Sequence, residues 1–137
     1  MKTRTARIRT AWAGALLATA AAFLAGPGAT AAQASWGGEL QQCKNQYGSE
    51  HYMGWDIPTV VLGKGSGGVC VRELQLELLE VGAVPAQDVP GFVDGIFGTK
   101  TYNAVVAFQR RVAIQGGADG IVGRYTWHSL IAHVYFE

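Results

Sequence analysis

The sequence predicts an all-α fold, a compact three-helix bundle with a disulfide-stapled, aromatic-rich N-terminal segment. Two observations lead to the bundle. Apolar residues recur at helical spacing in three segments of the C-terminal half. The pattern D-G-I-x-G-x-x-T occurs at 94–101 and again at 119–126, and each copy runs directly into one of these segments. We call 94–98 the first turn and 119–123 the second turn.

Residues 1–34 have the layout of a secretory signal peptide. A basic start is followed by an Ala/Leu-rich run from 11 to 24, and Ala32-Gln33-Ala34 has the small-x-small form of a cleavage site. The apolar run is too short for a comfortable membrane span, which needs about 20 residues. An uncleaved anchor is the alternative. We expect an exported mature chain that begins at Ser35.

Removal of this segment changes the charge of the chain. Removing 34 of the 137 residues leaves 103, with seven basic and ten acidic side chains and a net charge of −3. The mature chain therefore lacks the basic surface of a nucleic-acid-binding protein. Its length suits one small domain, which we expect to be a monomer.

Cys43 and Cys70 are the two cysteines of the chain. An exported protein meets an oxidising environment, which favours a disulfide between them. Two free thiols or a nucleophilic cysteine are the alternatives. A nucleophile would need a histidine and an orienting polar partner within reach, and the sequence does not suggest them.

The N-terminal extension, residues 35–60, is rich in glycine and aromatic residues. Glu39 to Gln46 is compatible with a short helix, whereas Ile57-Pro58 argues against a long one. The aromatic residues either cover the edges of a small core or form a platform on which sugars stack. They are Trp36, Tyr47, Tyr52 and Trp55.

Each predicted helix has its own start and stop signals. The glycine-rich stretch 62–68 does not meet the phosphate-loop patterns, so we interpret Ser66 as the N-cap of the first helix and Gly82 as its C-terminal stop. The second helix is expected from Thr99 to Val112, and a short third helix follows the second turn. The predicted core positions are Val71, Leu74, Leu78, Val81, Thr101, Ala104, Val105, Phe108, Val112, Trp127, Leu130 and Ile131.

Two glutamines lie beside these apolar stripes. Gln75 follows Leu74, and Gln109 follows Phe108. A half-buried amide needs hydrogen-bond partners, so we expect each to bond the backbone of a neighbouring loop. The Asp-Gly pairs of both turns are explained by turn and cap chemistry, with or without a role in ligand binding.

Three segments of the chain together resemble the type 1 peptidoglycan-binding-like domain family. They read Leu62-Gly63-x-Gly65-Ser66-x-Gly68-x-x-Val71-x-x-Leu74-Gln75, then Val93-Asp94-Gly95-Ile96-Phe97-Gly98-x-x-Thr101, then Asp119-Gly120-Ile121-Val122-Gly123-x-x-Thr126-Trp127. The resemblance implies a three-helix, peptidoglycan-binding-like domain over 61–131, followed by a tail at 132–137. Family members often have Pro and a basic residue at the helix starts, where this chain has Thr99 and Arg124, and an acidic residue in place of Tyr102.

We predict no catalytic or metal site and no cofactor, so the protein is not expected to be an enzyme. His51, His128 and His133 lack metal-ligand spacing and are interpreted as surface residues. Asp94 and Asp119 are the remaining pair for a glycosidase, but each has a turn-capping explanation.

The resemblance implies a secreted, cell-wall-associated module that binds peptidoglycan, through its glycan strand or its stem peptide, and that binds no membrane after signal cleavage. Helix N-termini suit an anionic group such as a stem-peptide carboxylate. A protein-interaction or inhibitor module and a small wall hydrolase are the alternatives. The candidate ligand contacts are Asp94, Gly95, Phe97, Gly98, Thr101, Tyr102, Asp119, Gly120, Gly123, Arg124, Tyr125 and Trp127.

Overall fold

The computed structural model describes residues 30–136, so most of the predicted signal peptide lies outside the described residues and stays a prediction. The described chain contains four α-helices, one β-hairpin and a short 3-10 helix. These elements are α1 (Thr30–Tyr47), β1 (Ser49–Tyr52), β2 (Trp55–Pro58), α2 (Val69–Glu80), the 3-10 helix (Ala86–Asp88), α3 (Thr99–Arg111) and α4 (Arg124–Phe136).

The expectation of a purely α-helical three-helix bundle is wrong in two respects. α1 begins at Thr30, within the predicted signal peptide, and continues through the extension to Tyr47, so it is longer than the predicted short helix. An antiparallel pair of strands follows it. The helical domain itself is confirmed, since α2, α3 and α4 correspond to the three predicted helices. α4 also continues to Phe136, through most of the predicted tail.

The strands were missed because their turn lacks the usual residues. Tyr52 pairs with Trp55 across a two-residue turn formed by Met53 and Gly54, which have φ angles of 49° and 92°. Two positive φ values are typical of a type I′ turn, for which Asn-Gly is the familiar signal. Met53 provides no such signal, and only Ile57 and Pro58 of the hairpin are buried.

The disulfide between Cys43 and Cys70 is confirmed. Its sulfur atoms are 2.06 Å apart, and both residues are buried between α1 and α2. The bond closes a loop with a sequence separation of 27. In the loop-entropy model such a loop stabilises the fold by about 3.5 kcal/mol. The N-terminal extension is therefore fixed to the start of the helical domain.

One core joins the extension and the helical domain. Leu74 of α2, Phe108 of α3 and Trp127 of α4 are each 0% exposed, and Ile57 of the hairpin belongs to the same cluster. The indole Nε1 of Trp127 donates to the carbonyl oxygen of Val60 at 2.8 Å. The predicted inward stripes are therefore confirmed, and the segment before α2 packs against α4.

The first boundary of α2 differs from the prediction and the second agrees with it. The N-cap is Gly68 rather than Ser66, because the backbone from 65 to 68 is hydrogen-bonded to the first turn before the helix begins. Ser66 Oγ instead accepts from the Gly63 amide at 3.1 Å. At the C-terminus Gly82 takes a φ of 65°, and the Ala83 amide bonds the Leu78 carbonyl oxygen, as in a Schellman motif.

Among residues 30–136, no helix is both long enough and apolar enough to cross a membrane.

Candidate functional site

The first turn is held by the side chain of Gln75. Its Nε2 lies 2.8 Å from Asp94 Oδ1, 3.0 Å from Thr101 Oγ1 and 3.2 Å from the carbonyl oxygen of Ile96. Its Oε1 accepts from the amides of Asp94 and Gly95. One buried amide therefore fixes both the turn and the first turn of α3.

Gln109 holds the second turn in the same manner. Its Nε2 contacts Asp119 Oδ1 at 3.2 Å, Thr126 Oγ1 at 3.1 Å and the Ile121 carbonyl oxygen at 2.9 Å, and its Oε1 accepts from the Gly120 amide. The expectation that each glutamine bonds a neighbouring loop is confirmed. The repeat in the sequence is therefore a repeat of one hydrogen-bonded unit.

The glycine-rich segment before α2 joins the two turns. Leu62 and Val122 exchange both backbone hydrogen bonds, at 3.0 and 2.8 Å. A few residues later, the Gly65 amide donates to Phe97, and the Phe97 amide donates to Ser66. The segment thus fixes the distance between the first and second turns, and the two helix starts lie on one rigid frame.

The turn aspartates act on the backbone. The side chains of Asp94 and Asp119 each accept from the amide two residues ahead, that of Ile96 or Ile121, at 2.9 Å. Hydrogen bonds from Gln75 and from the Ile96 amide lower the pKa of Asp94 below its usual value. A lowered pKa is the opposite of what a general acid needs, so Asp94 is explained by its turn.

Two neighbouring hollows lie beside the second turn, and we call them together the α4 groove. The glycine-lined hollow, of about 490 Å³, is bounded by Gly116, Gly117, Gly123 and the start of α4. The tyrosine-walled hollow, of about 420 Å³, is bounded by Tyr52 and Tyr125. Both share the lining residues Ile114, Gln115, Arg124 and Tyr125. A ligand can therefore extend from one hollow into the other.

The hairpin forms one wall of the α4 groove. The ring of Tyr52 stacks on that of His128 with centroids 3.8 Å apart and an angle of 18° between their planes. His128 Nε2 donates to Glu50 Oε1 at 2.7 Å, and Arg124 Nε lies 3.0 Å from the same oxygen. The interpretation of His128 as a surface residue is wrong, because the hairpin leaves it only 9% exposed.

A smaller hollow of about 160 Å³ lies beside the first turn. It is lined by Asp94, Gly98, Thr101, Lys100 and neighbouring backbone. Lys100 Nζ is 3.3 Å from Asp88 Oδ1. The equivalent positions of the two turns therefore face spaces of different size.

The predicted contact residues fall into three groups. Those that line a hollow are Asp94, Gly98, Thr101, Asp119, Gly123, Arg124 and Tyr125. Those that are buried in the core are Phe97 and Trp127. Those that bind other parts of the scaffold are Gly95 and Gly120, whose amides bond the glutamines, and Tyr102, which lies over Gly120 and under Lys64 Nζ at 4.3 Å.

Several groove residues were not predicted from the sequence. Tyr52 was noted as an aromatic residue of the extension, but its sequence distance from α4 gave no sign that it lies there. His128 is five residues before His133, which gave no functional pattern. Ile114 and Gln115 follow α3, where Ala113 has a φ of 48° and redirects the chain toward the groove. An alanine in the sequence does not indicate a left-handed conformation, so this bend could not be predicted.

A pair of buried carboxylates on α2 lies away from these hollows. Burial, together with the nearby charge of Glu39, raises the pKa of Glu73 to about 8. Burial and the charge of Glu73 also raise the pKa of Glu77 well above its usual value. Neither residue lines the α4 groove. In residues 30–136 no group of three or more His, Cys, Asp or Glu side chains is placed to hold a metal ion.

The comparisons with known proteins support the resemblance drawn from the motifs. Residues 68–130 match the family described as "Putative peptidoglycan binding domain". This part of the chain is therefore similar to that family, as the motifs predicted. The match begins at the N-cap of α2, so the disulfide-bound α1 and the hairpin lie outside it.

Individual proteins are also similar over part of the chain. The uncharacterized protein in the bpoA1 3′ region of Kitasatospora aureofaciens is 38% identical over 77 residues, which cover 56% of this chain and 60% of that protein. The crystal structure of a peptidoglycan-binding protein from Clostridioides difficile, in complex with glutamine hydroxamate, is 39% identical. That match covers 55% of this chain and 43% of the other, with a TM-score of 0.46. The chain thus spans only about three fifths of the curated relative that it matches.

Proposed function

We propose that this protein is a secreted, non-catalytic module that binds bacterial peptidoglycan in the α4 groove. The observation that supports the proposal best is the groove itself. It is an open space of two hollows beside the second turn of a peptidoglycan-binding-like domain. Concave sites with a few convergent polar groups are the usual form of a ligand site.

The start of α4 supplies donors for an anionic ligand group. The first intrahelical bond of α4 runs from the Trp127 amide to the Gly123 carbonyl oxygen at 3.0 Å. The amides of Arg124, Tyr125 and Thr126 therefore precede the helical ladder and point out of its positive end. The Arg124 side chain is 64% exposed beside them. These groups suit the carboxylate of a stem peptide.

The turn aspartates have no chemical role in this proposal. Both carboxylates accept hydrogen bonds within their own turns, and Gln75 and Gln109 hold them there. The ligand is held by polar and aromatic contacts, and no bond is broken. The first turn contributes the frame, while the second turn contributes the site.

Co-sedimentation with purified sacculi tests the proposal. The full chain is expected to pellet with sacculi at low and moderate salt, and a parallel turbidity assay on the same walls is expected to show no clearing. Arg124→Ala should weaken binding roughly tenfold, since hydrogen bonds to charged groups contribute about 1.5–3 kcal/mol. Arg110→Ala, which removes the same charge from an exposed position outside the groove, is the matched control.

Three outcomes would contradict the proposal. If all of the protein stays in the supernatant, peptidoglycan is not its ligand. A stoichiometric complex with a secreted enzyme would then indicate an interaction or inhibitor module. Clearing of the suspension would indicate a hydrolase. Equal losses in Arg124→Ala and Arg110→Ala would place binding outside the α4 groove.

A further inference from the structure

The tyrosine-walled hollow is formed by two parts of the chain that the family match separates. Tyr52 belongs to the hairpin, which precedes the matched residues 68–130, whereas Tyr125, His128 and Ser129 belong to α4. The helical domain alone would leave this hollow without its Tyr52 wall. The extension therefore adds a surface to the domain that the family resemblance does not imply.

The hairpin is held firmly against α4. At the end of the hairpin next to its turn, Tyr52 stacks on His128, and Trp55 stacks on Tyr135 with centroids 4.4 Å apart. Further along the same face, Glu50 bonds both His128 and Arg124, and its cross-strand partner Ile57 is buried in the common core. The disulfide ties α1 to the same core. The wall is thus preorganised and needs no ordering when a ligand binds.

The chemistry of the two hollows differs. The tyrosine-walled hollow offers two partly exposed phenol rings, Tyr52 at 37% and Tyr125 at 50%, with the polar groups of Gln115, Ser129 and Arg124. No acidic residue lines it. Flat rings beside hydrogen-bonding groups suit a sugar, which has an apolar face and a polar edge.

The glycine-lined hollow combines exposed backbone with apolar side chains. Gly116 and Gly117 are exposed, Ile114 and Ile121 also line the hollow, and the start of α4 borders it. Exposed backbone beside apolar side chains suits an extended peptide, and the helix start suits its carboxylate. The two hollows share Arg124 and Tyr125, so a sugar in one lies next to a peptide in the other.

We infer that the hairpin makes the α4 groove specific for the junction between a glycan strand and its stem peptide, with a sugar ring stacked on Tyr52 and the peptide in the glycine-lined hollow. This inference rests on the proposed function and names the part of the polymer that is bound. Neither the glycan alone nor the peptide alone fills both hollows.

Titration calorimetry of the full chain with three soluble probes tests the inference. The probes are a β-1,4-linked N-acetylglucosamine tetramer, a synthetic stem pentapeptide, and the disaccharide that carries that pentapeptide. The disaccharide-peptide is expected to bind roughly tenfold more tightly than either part, because it alone makes the aromatic stack and the peptide contacts at the same time.

Substitutions separate direct contact from folding. Tyr52→Ala is expected to lower the affinity for the disaccharide-peptide to that for the peptide alone and to leave the peptide affinity unchanged. Tyr52→Phe keeps the ring and should restore binding to within about twofold of the unsubstituted protein. Trp55→Ala removes the other hairpin stack outside the hollow, so it should retain the preference for the joined probe.

The outcomes distinguish this inference from the proposed function. If the protein pellets with sacculi but binds the disaccharide-peptide no more tightly than the peptide, the inferred recognition of the glycan–peptide junction is wrong, whereas the proposed binding to the wall stands. Equal losses in Tyr52→Ala and Trp55→Ala would show that Tyr52 only docks the hairpin, which overturns the sugar contact. If neither sacculi nor any probe is bound, both proposals fail.

Discussion

In the first turn the space above Gly95 holds the aliphatic stem of Arg72, whereas in the second turn the space above Gly120 holds the ring of Tyr102. The hydrogen bonds beneath the two turns are almost the same, from Gln75 in one case and from Gln109 in the other. The surroundings differ far more than the turns. The same local unit thus supports a small hollow at one position and a large groove at the other.

The difference shows that the repeated residues build the same frame twice and that the non-repeated residues beside it set the size of the hollow. Arg124 and Tyr125 occupy the positions that Thr99 and Lys100 occupy after the first turn. The residues facing them, Tyr52 and Gln115, have no counterpart beside the first turn. Binding is therefore expected to depend on these variable residues, while stability depends on the repeated ones.

The largest expected effect comes from replacing the glutamines. Gln75→Leu and Gln109→Leu each leave one backbone amide, that of Gly95 or Gly120, without its acceptor and also remove the bonds from Nε2, so each should lower the free energy of unfolding by about 4 kcal/mol. The Asp94 amide keeps the Phe92 carbonyl oxygen as an acceptor. Urea denaturation with the disulfide intact measures both. Gln42→Leu, at an exposed position of α1, is the control. A loss below 1 kcal/mol in either variant would contradict the assigned role of that glutamine.

The second largest effect is expected from replacing the glycines of the two turns, and its size should differ between the turns. Both have positive φ, so alanine is strained at either position. At Gly95 the new methyl group meets the flexible Arg72 side chain and makes an ordinary contact with the Gly68 carbonyl oxygen, but at Gly120 it meets the Tyr102 ring. Gly120→Ala should cost roughly 3 kcal/mol and Gly95→Ala roughly 1.5 kcal/mol, measured by thermal or urea unfolding. Adding Tyr102→Ala should recover part of the larger loss, and strictly additive losses would exclude the ring as its cause.

The pH dependence tests α2, which anchors the first turn directly. The folded pKa of Glu73 is about 8, above its usual value of 4.5, so the fold favours the protonated form. The stabilisation of the fold by protonated Glu73 is complete below about pH 4.5 and is lost as the pH rises to about 8. The free energy of unfolding should therefore fall across that interval. Glu73→Gln should flatten this slope and stabilise the protein at pH 8 by roughly 2 kcal/mol.

Urea denaturation of both proteins at pH 5 and pH 8 measures this effect, and amide exchange at Gly95 and Gly120 locates it. Protection at Gly95 is expected to fall first, since Gln75 lies on the same helix as Glu73. Parallel slopes in the two proteins would exclude Glu73 as the source. Equal loss of protection at both glycines would instead show that the two turns open together.

The smallest expected effect concerns the ends of the helices that precede the turns. Gly82 ends α2 with a φ of 65°, whereas Ala113 ends α3 in the same left-handed region. Ala113→Gly relieves that strain and should raise the free energy of unfolding by roughly 0.5–1 kcal/mol, because the cost of glycine in the unfolded chain offsets part of the gain. Thermal unfolding measures the change. Gly82→Ala should shift the transition in the opposite direction, and shifts of the same sign would contradict the comparison.

The helices of the domain, their inward faces and the bonding of both glutamines to neighbouring loop backbone were predictable from the sequence, because they follow from local periodicity and from the need to satisfy a buried amide. The bonds of the glutamines to aspartate and threonine side chains were not predicted. The disulfide was favoured by the expected compartment. The hairpin was not predictable, since Met53 occupies a positive-φ position and most of the hairpin is exposed. His128 was misinterpreted for the related reason that its burial depends on Glu50 and Tyr52, more than seventy positions earlier.

The amino-acid sequence by itself determined the repeated unit and, with it, the resemblance to a family. A glutamine, an Asp-Gly turn and a threonine lie close together in the sequence, and their hydrogen bonds leave few other arrangements. Only the tertiary structure decided where a groove lies. It bonds Leu62 to Val122 and stacks Tyr52 on His128 across long stretches of chain, and such contacts arise from packing around one core rather than from any local pattern.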